Sequence, residues 1–177
     1  LPPELFRWNE IKLSDGERSL LIRGGAASSI IETVFDNTDA LPRAFVVGQA
    51  KLLSQGTDAI AALSELRPRD EVLLAAESLP PGPHAEFDAA SIVEYTPNRV
   101  VIEADLAAPG YLVLSDTWYP GWTATNNEQP IPVVAANIAF RAVPLLTGKH
   151  RVVFQFHPPG QRIGALVSAT AWIVLIA

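Results

Sequence analysis

Alternating apolar and polar residues between positions 91 and 157 predict a series of short β-strands. In the run 99–106 the even positions are apolar, while Arg99, Glu103 and Asp105 occupy the opposite face. A period of two is typical of a strand with one face in a core. Further strands are predicted at 111–114, 122–125, 131–134, 140–143 and 151–157, with a hairpin turn at 126–129. Closely spaced strands of this kind predict an antiparallel immunoglobulin-like β-sandwich.

The first half of the chain has a mixed pattern. Thr57 and Asp58 can cap a helix, and Pro68 prevents that helix from continuing beyond about Arg67. Strands are predicted at 20–23, 30–35, 44–47 and 70–75. The proline-rich stretch 78–84 is typical of a linker. The predicted organisation is therefore a small α+β portion at 1–84, the sandwich at 85–160, and a distinct C-terminal segment at 161–177.

The C-terminal segment is apolar on every side, since residues 163–177 include no charged residue. A helix with this composition is either fully buried or in a membrane. Gly164, Ala165 and Ser168 are small residues of the kind that packed membrane helices use. We predict the first turns of a transmembrane helix, because a full span needs about 20 residues. A strand or helix buried in the core is the alternative.

Composition excludes several classes of function. The chain has 177 residues and a net charge of −6, which argues against a nucleic-acid surface. It contains no cysteine, so disulfides and cysteine metal sites are excluded. His84, His150 and His157 lack the spacing of a metal-binding motif. We expect no metal, no cofactor and no nucleic-acid partner.

One segment concentrates candidate binding residues. Trp118, Tyr119 and Trp122 surround a Pro-Gly turn beside Asp116. Sugars are often held by stacking on aromatic rings with a carboxylate at the hydroxyl groups. The alternative, which aromatic residues beside a strand favour, is that the tryptophans close the end of the sandwich. Paired carboxylates for glycoside hydrolysis are a weaker hypothesis, with Asp36, Asp105 and Asp116 as the candidates.

A more specific pattern lies in residues 109–114 (PGYLVL), 116–122 (DTWYPGW), 137–144 (NIAFRAVP) and 148–150 (GKH). These segments resemble the C-terminal part of the YfhO-like bacterial membrane proteins. Residues 34–37 (VFDN) and 40–45 (ALPRAF) extend the resemblance upstream to about Ile30. The family is similar to the GT-C glycosyltransferases, which use lipid-linked sugar donors, and in it an extracytoplasmic domain precedes a final membrane helix.

The resemblance implies where function lies. The catalytic aspartate of GT-C enzymes lies in an early loop between membrane helices, and this chain includes no such loop, so no catalytic residue is predicted. The candidate ligand-binding residues are Asp116, Trp118, Tyr119, Trp122 and Arg141.

The leading hypothesis is a non-catalytic extracytoplasmic domain of a membrane protein. It would pack against the membrane part of its own parent chain and contact an acceptor glycan or a lipid-linked sugar. The alternatives are a stand-alone carbohydrate-binding sandwich and a soluble glycoside hydrolase.

Overall fold

A computed structural model describes residues 8–11, 34–37, 40–54, 56, 58–75 and 85–160, together with Gly164, Ser168 and Trp172. Contacts between residues divide the chain into two compact units, Leu1–Leu41 and Pro42–Ala177. In the first unit, β1 (Trp8–Ile11) pairs with β2 (Val34–Asn37) in antiparallel register. Strand β2 overlaps the strand predicted at 30–35, whereas the strand predicted at 20–23 lies outside the described residues.

The second unit is mainly β, as predicted. Its elements are β3 (Ala44–Val47), β4 (Gln49–Leu52), α1 (Ala59–Ser64), β5 (Glu71–Ala75), β6 (Asp88–Ala89), β7 (Ser91–Thr96), β8 (Arg99–Leu106), β9 (Gly110–Leu114), β10 (Trp122–Asn126), β11 (Gln129–Ile131), β12 (Val134–Ala136), β13 (Phe140–Leu145) and β14 (Gly148–Phe156).

The first sheet of this unit has five antiparallel strands in the order β11-β10-β14-β8-β7. The predicted hairpin turn joins β10 to β11 through Asn127 and Glu128, whose φ angles are 47° and 70°. Two successive residues with positive φ form the type I′ turn that matches the twist of paired strands. Pro130 is tolerated in β11 because that strand lies at the sheet edge and its missing N–H costs no inner ladder bond.

The second sheet has seven strands in the order β4-β5-β12-β13-β9-β3-β6. All five residues of β9 are buried, as expected for a strand that lies between two neighbours and is apolar on both faces. One pair of this sheet, β4 with β5, is parallel, and both strands lie in the portion predicted as α+β. The chain crosses from β4 to β5 through α1, and a crossover of this kind is what brings successive strands into parallel alignment.

The prediction of a single strand at 131–134 is wrong. The chain leaves the first sheet after Ile131 and enters the second sheet at Val134. Pro132 lies between the two strands and has no N–H to donate to a ladder. The apolar pattern of this segment therefore reflects two short strands in different sheets.

The two sheets share one apolar core. From the seven-stranded sheet, Leu112, Leu114 and Val143 enter this cluster, and from the five-stranded sheet it receives Ile102 and Phe154. Each of these residues is fully buried. Because successive side chains of a strand point to opposite faces, the alternating positions of both sheets meet between them. A two-layer β arrangement follows from this shared cluster.

Helix α1 confirms the helix predicted near 57–67. Asp58 is its N-cap, and one Oδ1 accepts from the N–H groups of Ile60 at 3.0 Å and Ala61 at 3.2 Å. The helix ends at Ser64, one turn before Pro68. None of its residues is buried, so capping and the crossover hold it rather than an apolar face.

Strand β5 begins with a buried carboxylate. Glu71 accepts hydrogen bonds from Lys51 Nζ at 2.8 Å and from Arg67 Nη2 at 3.1 Å. The hydrogen bond from Lys51, followed by that from Arg67, lowers the pKa of Glu71 from 4.5 to about 2 despite burial. These two ion pairs join the end of the crossover to the parallel strand pair.

The seven-stranded sheet continues across residue 84, where the sequence pattern placed a domain boundary. Strand β3 lies between β6 and β9, so strands from both sides of that position share one ladder. The proline-rich residues 78–84 lie outside the described part of the chain. Backbone pairing between distant segments decides this arrangement, and composition along the chain does not report it.

The C-terminal segment is described at three positions. Gly164, Ser168 and Trp172 are helical and exposed, and the Gly164 N–H donates to the Gly160 carbonyl oxygen at 2.8 Å. Among the described residues, no helix has both the length and the apolar character needed to cross a membrane. The rest of the predicted transmembrane segment lies outside those residues, and that assignment stays a prediction.

Candidate functional site

The loop 115–121 crosses from one sheet to the other at one end of the sheet pair. It connects the last residue of β9 to the first residue of β10. The Ser115 N–H donates to the Arg43 carbonyl oxygen at 2.8 Å, and the Trp118 N–H donates to the Ala139 carbonyl oxygen at 2.7 Å. These bonds fix the loop against the starts of β3 and β13. We call this end of the domain, which contains the loop, the turn 137–139 and the last residues of β14, the loop end.

Gly121 allows the loop to close against the last strand. Its φ is +110°, a conformation that L side chains rarely adopt. Its carbonyl oxygen accepts from the His157 N–H at 2.8 Å. A Cβ at this position would lie 2.5 Å from the His157 carbonyl oxygen. Only glycine satisfies both the backbone conformation and the close approach.

Arg141 occupies a core-facing position of β13. It pairs with Leu114 in the neighbouring strand. It lies on the same face of β13 as Val143, whose side chain belongs to the shared core. The residue is only 2% exposed. A buried guanidinium needs compensating partners, because desolvation of an unpaired charge is costly.

Asp116 and Trp122 provide that compensation. Arg141 Nη2 donates to Asp116 Oδ2 at 3.1 Å, and the guanidinium carbon lies 3.6 Å from the centroid of the Trp122 ring. Burial lowers the pKa of Arg141, while the Asp116 carboxylate opposes that shift. Arginine keeps its charge under such conditions because its ordinary pKa lies far above neutral pH. Among the described residues, Nε and Nη1 have no hydrogen-bond partner.

The ion pair extends outward through two further side chains. Tyr95 Oη donates to Asp116 Oδ2 at 3.1 Å and accepts from Arg43 Nη1 at 2.7 Å. Arg43 also lies with its guanidinium carbon 5.0 Å from the Tyr95 ring centroid. The five side chains Arg43, Tyr95, Asp116, Trp122 and Arg141 form what we call the Arg141 network. It reaches from the core to the surface at the loop end.

The predicted site residues divide into two groups. Asp116, Trp122 and Arg141 come together inside the domain. Trp118 and Tyr119 instead lie at the surface, 37% and 58% exposed. The Tyr119 ring centroid lies 6.2 Å from that of Phe156, so this tyrosine borders the network without joining it. Ligand binding by the five residues stays a prediction.

Sequence reasoning missed Arg43 and Tyr95. They are 52 positions apart and meet only because the start of β3 and the end of β7 lie on the same side of the two sheets. No local motif marks either residue. The one available signal is indirect: Arg141 sits two positions before an apolar residue of the same strand, which predicts an inward-facing charge and hence partners from other strands.

The buried His150 has hydrogen-bond partners for both of its ring nitrogens. His150 Nε2 lies 2.8 Å from the Leu146 carbonyl oxygen, so this nitrogen carries the donated proton. Its Nδ1 then accepts from Asn126 Nδ2 at 2.9 Å. Within the described ranges, no group of three or more His, Cys, Asp or Glu side chains is placed to hold a metal ion.

Comparison with known families identifies one relationship. The family model described as bacterial membrane protein YfhO matches residues 84–168, which is just under half of the chain. The predicted resemblance is confirmed over this range, which includes every strand from β6 to β14. Neither the comparison with curated proteins nor that with solved structures gives a significant match.

Proposed function

We propose that this chain contributes a non-catalytic, extracytoplasmic domain of a multi-spanning membrane protein similar to the GT-C glycosyltransferases. The observation that carries the proposal is the family match, which covers residues 84–168 and so includes β6 to β14 and the start of the apolar segment. A match of this extent supports a β domain that directly precedes a membrane-embedded segment. We infer that the domain packs on the membrane part of its own parent chain.

The chemistry of the Arg141 network supports a binding or structural role over catalysis. The Asp116 carboxylate is engaged by Arg141 and Tyr95, and Arg43 Nη1 lies 3.7 Å from its other oxygen. Because these donors already occupy the carboxylate oxygens, Asp116 is poorly placed to contact a reacting group of a substrate. The network instead makes the loop end rigid.

The proposal extends to the fold type and to the ligand. An immunoglobulin-like sandwich, common in extracellular modules, is consistent with two sheets that share one core. We infer that the loop end, with its exposed aromatics and the surface guanidinium of Arg43, faces an acceptor glycan or a lipid-linked sugar. Aromatic rings beside charged groups are a frequent design for sugar binding.

The side of the membrane can be tested in bacteria that produce the parent protein. These 177 residues contain no cysteine, so Thr147→Cys adds a thiol at an exposed turn of the domain, and the parent protein without this change gives the background labelling. A membrane-impermeant maleimide should label this thiol in intact cells. The same variant in permeabilised cells is the control for accessibility. Labelling that requires permeabilisation would place the domain in the cytoplasm and contradict the proposal.

A second candidate is a stand-alone carbohydrate-binding module, favoured by the exposure of Trp118 and Tyr119. Titration of cell-wall oligosaccharides should then change tryptophan fluorescence in a saturable way. The variant Trp118→Phe identifies the responding residue, because the chain has four tryptophans. No saturable change at millimolar oligosaccharide would exclude this candidate.

The hydrolase hypothesis receives no support from the described geometry. Asp116 contacts Arg141 near Phe154, whose register partner in β8 is Val100. Asp105 lies five residues further along β8, about 16 Å away along the strand. Glycosidases hold their two carboxyl groups roughly 5 to 9.5 Å apart. These two aspartates therefore cannot act on one glycosidic bond.

A further inference from the structure

Three apolar side chains are exposed together at the loop end. Trp118, Tyr119 and Ile138 are 37%, 58% and 47% exposed. The first two belong to the loop 115–121, and Ile138 lies in the turn between β12 and β13. The Trp118 N–H donates to the Ala139 carbonyl oxygen at 2.7 Å, so the loop and the turn are fixed side by side. The three residues, which we call the apolar rim, form one surface.

The turn displays Ile138 at a conformational cost. Asn137 and Ile138 have φ angles of 47° and 71°. Positive φ favours glycine or asparagine, and a β-branched residue with positive φ is a genuine outlier. Asn137 anchors the turn, since its N–H donates to the Leu73 carbonyl oxygen at 2.7 Å and its Oδ1 accepts from the Leu73 N–H at 2.9 Å. An exposed isoleucine that gains nothing from the core here indicates a contact outside the domain.

The apolar rim lies at the end where the chain departs toward its apolar segment. The His157 N–H donates to the Gly121 carbonyl oxygen at 2.8 Å, so the end of β14 is attached to the same loop. Five residues separate His157 from the uncharged stretch 163–177. The six chain steps from residue 157 to residue 163 span at most about 20 Å. The uncharged stretch therefore follows the loop end within about 20 Å of chain length.

We propose that the apolar rim is a lipid-contacting surface that seats the domain on the headgroup region of the bilayer. The proposal rests on the proposed function, because it takes the uncharged stretch as the membrane-embedded segment beside this surface. Tryptophan and tyrosine favour the membrane interface, where the ring is apolar and the N–H or O–H stays wet. Isoleucine gains by burial at the acyl boundary. Together these residues set the tilt of the domain relative to the membrane.

The opposite end of β13 provides an internal control. Leu146 follows directly after this strand and is 73% exposed, more than any residue of the rim. Strand β13 has six residues, which place Leu146 about 20 Å from the Ile138 turn. A lipid surface that contacts the rim leaves Leu146 in water. Ile138 and Leu146, which are exposed at the two ends of β13, are thus expected to differ in their contact with lipid.

The test uses single-cysteine variants of the full chain, which contains no cysteine of its own. Tyr119→Cys, Ile138→Cys and Leu146→Cys are labelled with an environment-sensitive fluorophore and reconstituted into vesicles of phosphatidylethanolamine and phosphatidylglycerol. Nitroxide-labelled headgroups should quench the labels at 119 and 138 at least about twofold more than the label at 146. Their emission should also shift to shorter wavelength. Circular dichroism checks that each variant is folded.

The outcomes separate the two proposals. If the chain floats with the vesicles but all three labels behave alike, the lipid-contacting surface is wrong and the membrane-domain proposal stands. If the chain does not float, both proposals fail. If the labels at 119 and 138 respond only to added cell-wall oligosaccharide, the rim binds glycan and lipid contact is excluded.

Discussion

Removal of the charge on Asp116 tests whether the ion pair with Arg141 organises the loop end. Asp116→Asn keeps the shape of the side chain but leaves the Arg141 guanidinium, only 2% exposed, without a counter-charge. We expect this single change to destabilise the domain more than any other conservative substitution in the network. Arg141→Met is the complementary change, because it removes the buried charge together with the N–H groups that lack partners.

The expected magnitudes follow from burial. Breaking a fully buried ion pair by removing one partner costs 3–5 kcal/mol, and the partial exposure of Asp116 reduces this to about 2–3 kcal/mol. Arg141→Met loses a cation–π contact with Trp122 but relieves the desolvation of the charge, so it should cost only about 1 kcal/mol. Asp116 keeps Tyr95 as a donor in that variant. The double variant should therefore resemble Arg141→Met alone, with a coupling of about 2 kcal/mol.

The assay is equilibrium unfolding in urea of the full chain in a mild detergent, followed by far-ultraviolet circular dichroism. Changes in the midpoint at constant slope give the change in the free energy of unfolding. Unfolding curves of Asp116→Asn that match the unmodified chain within about 0.5 kcal/mol would refute the reasoning, as would strict additivity in the double variant. Either result would mean that the guanidinium is stabilised by Trp122 without help from the carboxylate.

Three further predictions concern backbone strain and charge. Ile138→Gly should raise the free energy of unfolding by about 1 kcal/mol in thermal melts, and Glu128→Gly should raise it by less, because both residues have positive φ but only Ile138 is β-branched; a loss of stability would show that the turn is not strained. The pKa of Glu71, lowered to about 2, adds stability above pH 4.5 that disappears as the pH falls toward 2. Glu71→Gln should lose about 2 kcal/mol at neutral pH and flatten this acid dependence, whereas an unchanged pH profile would contradict the ion pair. Gly121→Ala should cost about 2 kcal/mol more than Gly148→Ala, since both have positive φ but only Gly121 is crowded, and equal losses would refute the close approach.

Much of the strand pattern could be predicted from the sequence, because half-buried strands impose a period of two. Strands β8 and β14 lie where that period placed them, and β9 lies where a run apolar on both faces was found. The parallel pairing of β4 with β5 could not be predicted, since register and strand order depend on contacts between distant segments. The boundary expected at residue 84 was inferred from local proline content, which does not report that β3 joins β9 in one ladder.

The candidate site shows the same division between local and long-range information. Trp118, Tyr119 and Trp122 were noticed because they are close together in the sequence. Their separation into one half-buried and two exposed rings depends on the loop geometry that Gly121 permits. Arg43 reaches the network only through the pairing of β3 with β9, which no local pattern encodes.

Two residues at the loop end have unusual environments: a charged side chain faces the core, and a β-branched residue has positive φ. Each is stabilised by neighbouring groups. Arg141 faces the core and is stacked on Trp122, while Ile138 holds a left-handed turn that Asn137 anchors. An aliphatic residue and a glycine would satisfy a sandwich end that needed only to be closed. Glu128 adopts the same conformation at the other hairpin, but an unbranched polar side chain in water carries a smaller cost. Because natural sequences retain such conflicts mainly where function requires them, we expect the functional surface of this domain to lie at the loop end.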